Sequence, residues 1–212
     1  MNKKQLQSEQ TKKRVAEAAR TLFAQKGYTA TSIEDIVAAT GSSKGNIYYH
    51  YQNKEGLFLY LLDEWDREWK EQWAEKEQLY STIEEKLVGF AEHLVVNDLN
   101  HPLTKATDEF IYSEWKRSDV QEEVANYLSN HVQMNQRMLQ QAMDAGELKT
   151  TDAWTLGFIL EGLLMGLGEM SKRSPNYDTT LNIYRQAIHV FLHGTVLHKP
   201  SDQALAQGIG SQ

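Results

Sequence analysis

The sequence predicts an all-α protein in which a small helix-turn-helix head precedes a larger helical domain. Apolar residues recur at intervals of three and four along most of the chain, the spacing of helices with one buried face. No segment alternates apolar and polar residues as a strand does. Prolines occur only at 102, 175 and 200, so little interrupts long helices. We expect the head over residues 1–52, the larger domain over 53–198 and a disordered tail over 199–212.

The first helix is predicted by apolar residues at helical spacing, and Gly27 ends it. Thr31 and Glu34 form a predicted capping box for a short second helix, which Gly41 ends after about two turns. Ser42 or Ser43 caps a third short helix that runs to about residue 50. Two short helices joined by a tight turn containing glycine form a helix-turn-helix.

Longer helices follow this head. Asn53 caps a fourth helix that meets no breaker until about residue 79. Further helical patterns lie near residues 82–97, 102–117, 120–145, 152–171 and 178–197, and Gly146 and Pro175 mark turns. Within the pattern at 152–171, the segment LGFILEGLLMGLGEM is apolar nearly all round, which is typical of a helix covered on both sides.

Charge is distributed unevenly between the two regions. Residues 1–54 hold nine Lys/Arg and four acids, a net charge of +5, while the whole chain carries −7, which leaves −12 for the rest. A basic head on an acidic body predicts that only the head meets a polyanion. No signal peptide precedes the head, and the most apolar segment, LGFILEGLLMGLG, is short for a membrane span and carries Glu161. We therefore expect a cytoplasmic protein without membrane association.

Enzymatic chemistry finds little support in the sequence. The chain has no cysteine, no glycine-rich phosphate loop and no recognisable spacing of a nucleophile and a base. His189 and His193 share a helix face, but no third metal ligand is evident near them. We expect no enzyme activity, no cofactor and no metal.

The segment SSKGNIYYHYQNKE, residues 42–55, is unlike a core helix. It places three tyrosines and a histidine at residues 48–51, and these polar rings cannot all be buried. Helices that read the DNA major groove present polar side chains at their N-terminal end, where backbone amides also bind phosphate. The serines, the lysine and the asparagine that open this segment meet that need, and Gly45 lets DNA approach the backbone closely.

The wider segment TSIEDIVAATGSSKGNIYYHYQNKEGLF resembles the DNA-binding segment of TetR-family transcriptional repressors. Its glycines, tyrosines, Lys54 and Leu57 fit the family pattern, and Tyr51 replaces the usual phenylalanine. The resemblance implies a homodimer that binds a pseudo-palindromic operator and leaves it when a ligand enters the larger domain. We expect phosphate contacts from Thr31, Ser42, Ser43, Tyr49, His50 and Lys54, and contacts to bases or nearby backbone from Lys44, Gly45, Asn46 and Tyr48.

The resemblance is closest to multidrug-binding members of the family, through Trp69 and Trp73. It implies a lipophilic, cationic inducer and control of a multidrug efflux gene. This sequence has Asp98 where those members use a glutamate, His101 at the place of a pocket tyrosine, and Trp65 with a neighbouring aspartate in place of two adjacent glutamates. A lipophilic pocket is therefore expected, while its preference for cations stays open.

Acidic residues on apolar helix faces are the candidate charge partners of an inducer. Asp98, Glu114 and Glu161 each share a face with apolar residues, and a buried carboxylate is costly unless it is paired. A cationic ligand would pair it, and so would an internal partner such as Arg137, Arg173 or a tyrosine hydroxyl. The candidate pocket residues are Trp65, Trp69, Trp73, Asp98, His101, Phe110, Glu114, Trp154, Phe158, Glu161 and Met165.

Two other functions remain open from the sequence. A constitutive DNA-binding protein of the nucleoid type would use the same head with a well-filled body and no inducer. A sensor of a neutral or acyl metabolite would keep the pocket without its charge preference. In the repressor interpretation the partners are operator DNA, a small lipophilic inducer and a second copy of the chain, which docks through residues 152–171 and 178–197.

Overall fold

A computed structural model describes residues 2–114, 118–172 and 176–195. Within these ranges the chain is helical and contains no strand, which confirms the predicted fold class. The predicted tail lies outside the described residues. The helices are α1 (Lys3–Lys26), α2 (Ile33–Thr40), α3 (Lys44–Tyr51), α4 (Lys54–Glu77), α5 (Ile83–Leu94), α6 (Thr104–Glu114), α7 (Ser118–Asp144), α8 (Ala153–Ser171) and α9 (Tyr177–His193).

The predicted capping box of α2 is wrong by one residue. Ser32 is the N-cap: its hydroxyl accepts from the Asp35 amide, and the Asp35 carboxylate accepts from the Ser32 amide. Thr31 is buried instead, and its hydroxyl donates to the Gly27 carbonyl at 2.7 Å. The helix still ends at Gly41, whose φ of 66° is left-handed, as predicted.

The head forms around one apolar cluster. Phe23 of α1, Ile36 of α2 and Ile47 of α3 are fully buried in it. The first turns of α4 and part of α6 complete the same cluster, so the head packs directly on the body. Helix α4 therefore belongs to both regions, because its first turns lie in the head cluster and its later turns lie in the body.

The body core is built on aromatic residues of α4 and α5. Trp69 and Trp73 pack edge-on against Phe90, with ring centroids 5.6 and 5.0 Å apart. Helices α7 and α8 cross closely at Gly157, where a Cβ would lie 2.9 Å from the Gln136 amide nitrogen. Helix α5 continues into a π-helical stretch, Val95–Leu99. This stretch contains Asp98, the acidic residue predicted for the pocket.

Helix α8 has a buried face and an exposed apolar face. Its 19 residues are long and apolar enough to cross a membrane by length and composition, so the expectation that the segment is too short is wrong. The buried face carries Glu161 and packs on α7 and α9. Helix α9 ends at His193, four residues before the predicted end, because Gly194 terminates it with a φ of 70°.

Candidate DNA interface and ligand cavity

Helix α3 exposes the side chains predicted to meet DNA. Ser43 is its N-cap and accepts from the Asn46 amide. Tyr48 is 44% exposed and Tyr49 is 79% exposed, both unusually high for tyrosine in a folded head. At Gly45 an added Cβ would meet only the Ser43 hydroxyl, at 4.0 Å, so the backbone there is open to approach. The structure thus brings most of the predicted DNA contacts, including half-buried His50, to one helix.

Three predicted phosphate contacts are placed differently. The Thr31 side chain is enclosed in the head and holds the turn before α2. The Lys54 ammonium donates to the carbonyls of Tyr28 and Thr31, both at 3.2 Å, and lies over the Tyr28 ring. The Ser42 side chain is buried and accepts from Arg14 at 3.4 Å. The polar atoms of these side chains are used within the head in the structure without DNA, and their phosphate contacts stay a prediction.

Ion pairs modify the charge that α3 and α2 present. Lys44 pairs with Glu34, and this contact raises the pKa of the lysine and lowers that of the carboxyl group. Lys26 pairs with Asp35 at 2.9 Å. Arg14 was missed in the sequence, because only the folded head brings α1 beside the start of α3.

A cavity of about 330 Å³ lies between α4, the π-helical stretch, α6, α7 and α8. This volume is at the small end of ligand-binding sites. Trp65 and Trp69 provide flat aromatic walls, and Phe110 and Met165 close the apolar side. The complete lining is Leu59, Leu62, Asp63, Trp65, Asp66, Trp69, Asp98, Thr107, Phe110, Ile111, Val120, Glu123, Asn126, Asn130 and Met165.

Four carboxylates line this cavity, and none of its lining residues is Lys, Arg or His. Burial raises the pKa of Asp98 to about 7, and nearby Asp66 and Glu161 add to the shift. Burial and the neighbouring Asp66 also raise the pKa of Asp63. The Asp66 carboxylate forms an ion pair with Lys70 of the same helix, at 2.6 Å. The cavity is therefore an acidic, aromatic site in which added positive charge is favourable.

The cavity contains only part of the predicted pocket set. Trp65, Trp69, Asp98, Phe110 and Met165 line it. Trp73, His101, Glu114, Trp154, Phe158 and Glu161 do not.

Three of the residues outside the cavity support its walls or lie beyond them. Trp73 is buried against Phe90, because it is one turn further along α4 than the cavity reaches. His101 stacks on the outer face of Trp65, with ring centroids 3.8 Å apart, and burial lowers its pKa to about 4, so it supports the wall as a neutral ring. Glu114 lies at the end of α6, one turn beyond Phe110.

Glu161 pairs with side chains inside the protein. From the sequence, a cationic ligand and an internal side chain both stayed open as partners of Glu161. Its carboxylate accepts from the Asn135 amide at 2.9 Å and lies 3.5 Å from Nδ1 of His131. Both partners are buried on α7. They differ from the arginines and tyrosines considered from the sequence, and Glu161 is corrected to a core residue that joins α8 to α7.

Trp154 and Phe158 lie on the outer face of α8, 51% and 58% exposed. They stack on each other with ring centroids 5.5 Å apart and do not reach the cavity. Ile159 and Met170 of α8 and Val190 of α9 are exposed as well. This apolar surface belongs to the two helices predicted to form the dimer interface.

The sequence analysis missed the polar residues that α7 contributes. Glu123, Asn126 and Asn130 line the cavity at i, i+3 and i+7, which places them on one helix face. Their spacing could have been noticed, but polar residues at this spacing are also typical of a solvated face. Asp63 and Asp66 were obscured in the same way by the charged sequence around them.

Helix α6 contacts both the cavity and the head. Phe110 lines the cavity, and its ring centroid lies 4.9 Å from those of Tyr28 and Phe58 in the head cluster. The adjacent Glu109 accepts from the Thr29 amide, in the turn before α2, at 3.1 Å. Helix α6 therefore connects the cavity wall to the head by direct contacts. Across the described ranges, no cluster of His, Cys, Asp and Glu could hold a metal ion.

Two family models match successive parts of the chain. The family model described as bacterial regulatory proteins, tetR family, matches residues 15–61, and that of the QacR-like C-terminal region matches residues 65–196. The transcriptional regulator QacR of Staphylococcus aureus is 26% identical over 86% of this chain and 97% of its own length. The transcriptional repressor ComR of Escherichia coli is 33% identical over 78% of this chain and 81% of ComR.

Solved structures show the same fold. A TetR-family regulator from Cytophaga hutchinsonii has a TM-score of 0.71 at 19% identity, covering 91% of this chain and 98% of the other. FadR of Bacillus subtilis, in complex with stearoyl-CoA, has a TM-score of 0.71 at 18% identity, covering 86% and 98%. A regulator from Saccharomonospora viridis in complex with choline has a TM-score of 0.71 at 19% identity, covering 90% and 100%. The chain belongs to the TetR family of transcriptional regulators, a family without enzyme activity, and carries a QacR-like C-terminal region.

Proposed function

We propose that this regulator is a cytoplasmic, homodimeric repressor that leaves its operator when a lipophilic cation enters the cavity. One observation carries the inducer class: four carboxylates and two tryptophans line a cavity whose lining has no Lys, Arg or His. Aromatic faces attract cations, and an uncompensated carboxylate in a poorly solvated site gains most from a positive partner. Control of a multidrug efflux gene would follow from such an inducer.

The alternative functions fit the cavity less well. A constitutive DNA-binding protein needs no cavity of about 330 Å³ between five helical segments. A fatty acyl group or its CoA ester would bring negative charge toward Asp98 and Glu123, which is unfavourable. FadR holds stearoyl-CoA and the Saccharomonospora viridis regulator holds choline, so this fold accommodates ligands of either charge. The residues that line the cavity therefore determine which ligand charge is preferred.

Operator release requires that the cavity and the head favour different conformations. Helix α4 lines the cavity with Trp65 and Trp69 and reaches the head cluster with Phe58. Helix α6 joins the same two places through Phe110 and Glu109. A ligand that separates these helices changes the spacing of the two recognition helices of a dimer, which must lie about one DNA turn apart, roughly 34–36 Å.

The dimer is proposed to form through the outer faces of α8 and α9. Exposed Trp154, Phe158, Met170 and Val190 form an apolar surface that is unusual for a face left in water. On α8, Gly162 and Gly166 have open space where a Cβ would stand, so a partner helix can approach closely. Phe158→Glu is expected to convert the dimer to a monomer, measured by analytical ultracentrifugation.

The inducer class is tested with two ligands of similar shape and different charge. Tryptophan fluorescence is titrated with tetraphenylphosphonium, a lipophilic cation, and with triphenylphosphine oxide, a neutral molecule of similar shape; lauric acid represents acyl ligands. We expect saturable quenching by the cation that is at least tenfold tighter than by the neutral compound. Tighter binding of the neutral compound or of lauric acid would refute the cationic site and favour the metabolite sensor.

A further inference from the structure

The first three turns of α1 bury no side chain among the described residues, and their third turn is held at Lys12, whose carbonyl accepts from the Tyr51 hydroxyl at 2.7 Å and whose ammonium lies over the Tyr60 ring. Helix α1 begins at Lys3 with a complete capping box between Asn2 and Gln5. Its buried residues begin only at Val15, and the residues before it are polar apart from half-exposed Leu6. A polar helix of this length is marginal by itself in water, so a partner outside the described contacts is a reasonable cause for its sequence.

One face of this segment carries only cationic and amide side chains. Lys3, Gln7, Gln10 and Arg14 follow each other at i, i+4, i+7 and i+11, which puts them within about 60° of one another on the helix. All four are exposed. The acid of this segment, Glu9, lies on another face, because six residues correspond to about 240° of rotation. We call these four residues the α1 stripe.

The α1 stripe continues from the DNA-reading helix. Nη2 of Arg14 lies 3.4 Å from the Ser42 hydroxyl, and Ser42 directly precedes the N-cap of α3. From Lys3 to Arg14 the stripe is about 17 Å long, a length of duplex that carries about ten phosphates. The family model of the DNA-binding domain begins at residue 15, so it does not cover the stripe.

We propose that the α1 stripe binds the phosphate backbone of the DNA next to the half-site that α3 occupies. Lys3 and Arg14 contribute charge, and Gln7 and Gln10 donate hydrogen bonds to phosphate oxygens. The contacts are independent of sequence, so the stripe adds affinity and fixes the orientation of the head. This inference rests on DNA binding by the head and extends the contact beyond the helix-turn-helix.

The test counts phosphate contacts by salt dependence. Binding of a fluorescent, mixed-sequence duplex of about 40 base pairs is measured by anisotropy across a KCl series. For a dimer, Lys3→Gln combined with Arg14→Gln removes four cations, so the slope of log K against log salt becomes shallower by about 3–4. Lys3→Arg with Arg14→Lys is expected to keep the wild-type slope, and so is Lys105→Gln with Lys149→Gln, two exposed lysines on the body.

Two single variants leave Arg14 unchanged, so that their effect on DNA binding is separate from any loss of folding that substitution of Arg14 causes. Lys3→Gln alone changes an exposed residue and is expected to reduce the slope by about 2 per dimer. Gln7→Lys adds a cation to the stripe and should steepen the slope by a similar amount, whereas Gln133→Lys on α7 should not. Unchanged slopes for Lys3→Gln and Gln7→Lys would overturn the α1 stripe, while failure of the wild-type protein to bind duplex would overturn DNA binding itself.

Discussion

Replacing Asp98 with asparagine should make the protein more stable and less responsive to cations. Burial raises the pKa of Asp98 to about 7 from an ordinary value of 3.8, so the folded protein disfavours its charged form. A shift of about 3 units corresponds to at most about 4 kcal/mol at 1.36 kcal/mol per unit. The asparagine amide is itself a polar group that is costly to bury, so we expect Asp98→Asn to gain less than this limit, about 1–3 kcal/mol at pH 8.

The pH dependence follows from the sign of the shift. A carboxyl group with a raised pKa in the folded state binds more protons there than in the unfolded chain, so the wild-type protein loses stability from about pH 4 to about pH 7. Below about pH 4 the Asp98 side chain is protonated in both the folded and the unfolded state, so the variant and the wild type should unfold at similar denaturant concentrations there. The stability gain of Asp98→Asn should develop between about pH 4 and about pH 7, measured by urea unfolding.

Cation binding distinguishes a ligand residue from a merely buried one. Tetraphenylphosphonium prefers the charged carboxylate, so its wild-type affinity should fall below pH 7, and Asp98→Asn should weaken it at least tenfold at pH 8 while binding of the neutral phosphine oxide is unchanged. A variant that is less stable at pH 8, or that binds the cation as tightly as the wild type, would refute the assignment of Asp98 as the carboxylate that binds the cation.

Three further predictions concern the head and its link to the body. Tyr49→Ala should weaken DNA binding about tenfold, the value of one good contact, without changing thermal stability, since the ring is 79% exposed; equal affinity would exclude Tyr49 from the interface. Glu109→Ala should leave cation affinity unchanged but raise the cation concentration needed for DNA release, because Thr29 loses its acceptor on α6; unchanged release would exclude this link. Gln52→Gly should add about 1 kcal/mol of stability in urea unfolding, because Gln52 has a φ of 66° that glycine adopts without strain, and a loss would show that the Gln52 side chain is needed.

The helix boundaries of the head could be predicted from the sequence because capping and helix-ending residues act locally. Gly41 ends α2 through a left-handed φ, and Asn53 caps α4 through a bond to an amide three residues on. Each is a property of a few neighbouring residues. The error at Thr31 arose because Ser32 offers the same hydroxyl one position later, and only the fold decides that Thr31 is enclosed by α1.

The cavity could be read only in part, because its walls come from distant segments. Helical spacing grouped Glu161 with Trp154 and Phe158, yet the close crossing at Gly157 brings α7 against α8 and places Asn135 beside Glu161. Nothing within α8 specifies that crossing. Conversely, Glu123 is exposed to solvent on α7, as its sequence neighbours suggest, and lines the edge of the cavity because α4 and α6 stand opposite it.

The negative charge of the cavity affects both the stability of the ligand-free fold and the free energy that a bound cation contributes. Carboxylates left without cations destabilise the ligand-free fold, and a cation that removes this cost stabilises the form that holds it by about 2.7 kcal/mol at a hundred times its Kd. Only the part of this energy that differs between the DNA-bound and released conformations can drive release. Phe110 lies in the cavity wall and in the head cluster at once, so its position can be the source of that difference. Filling the cavity from within, for example by Thr107→Phe beside Phe110, should therefore weaken DNA binding without any ligand, and unchanged binding would show that α6 does not carry the signal.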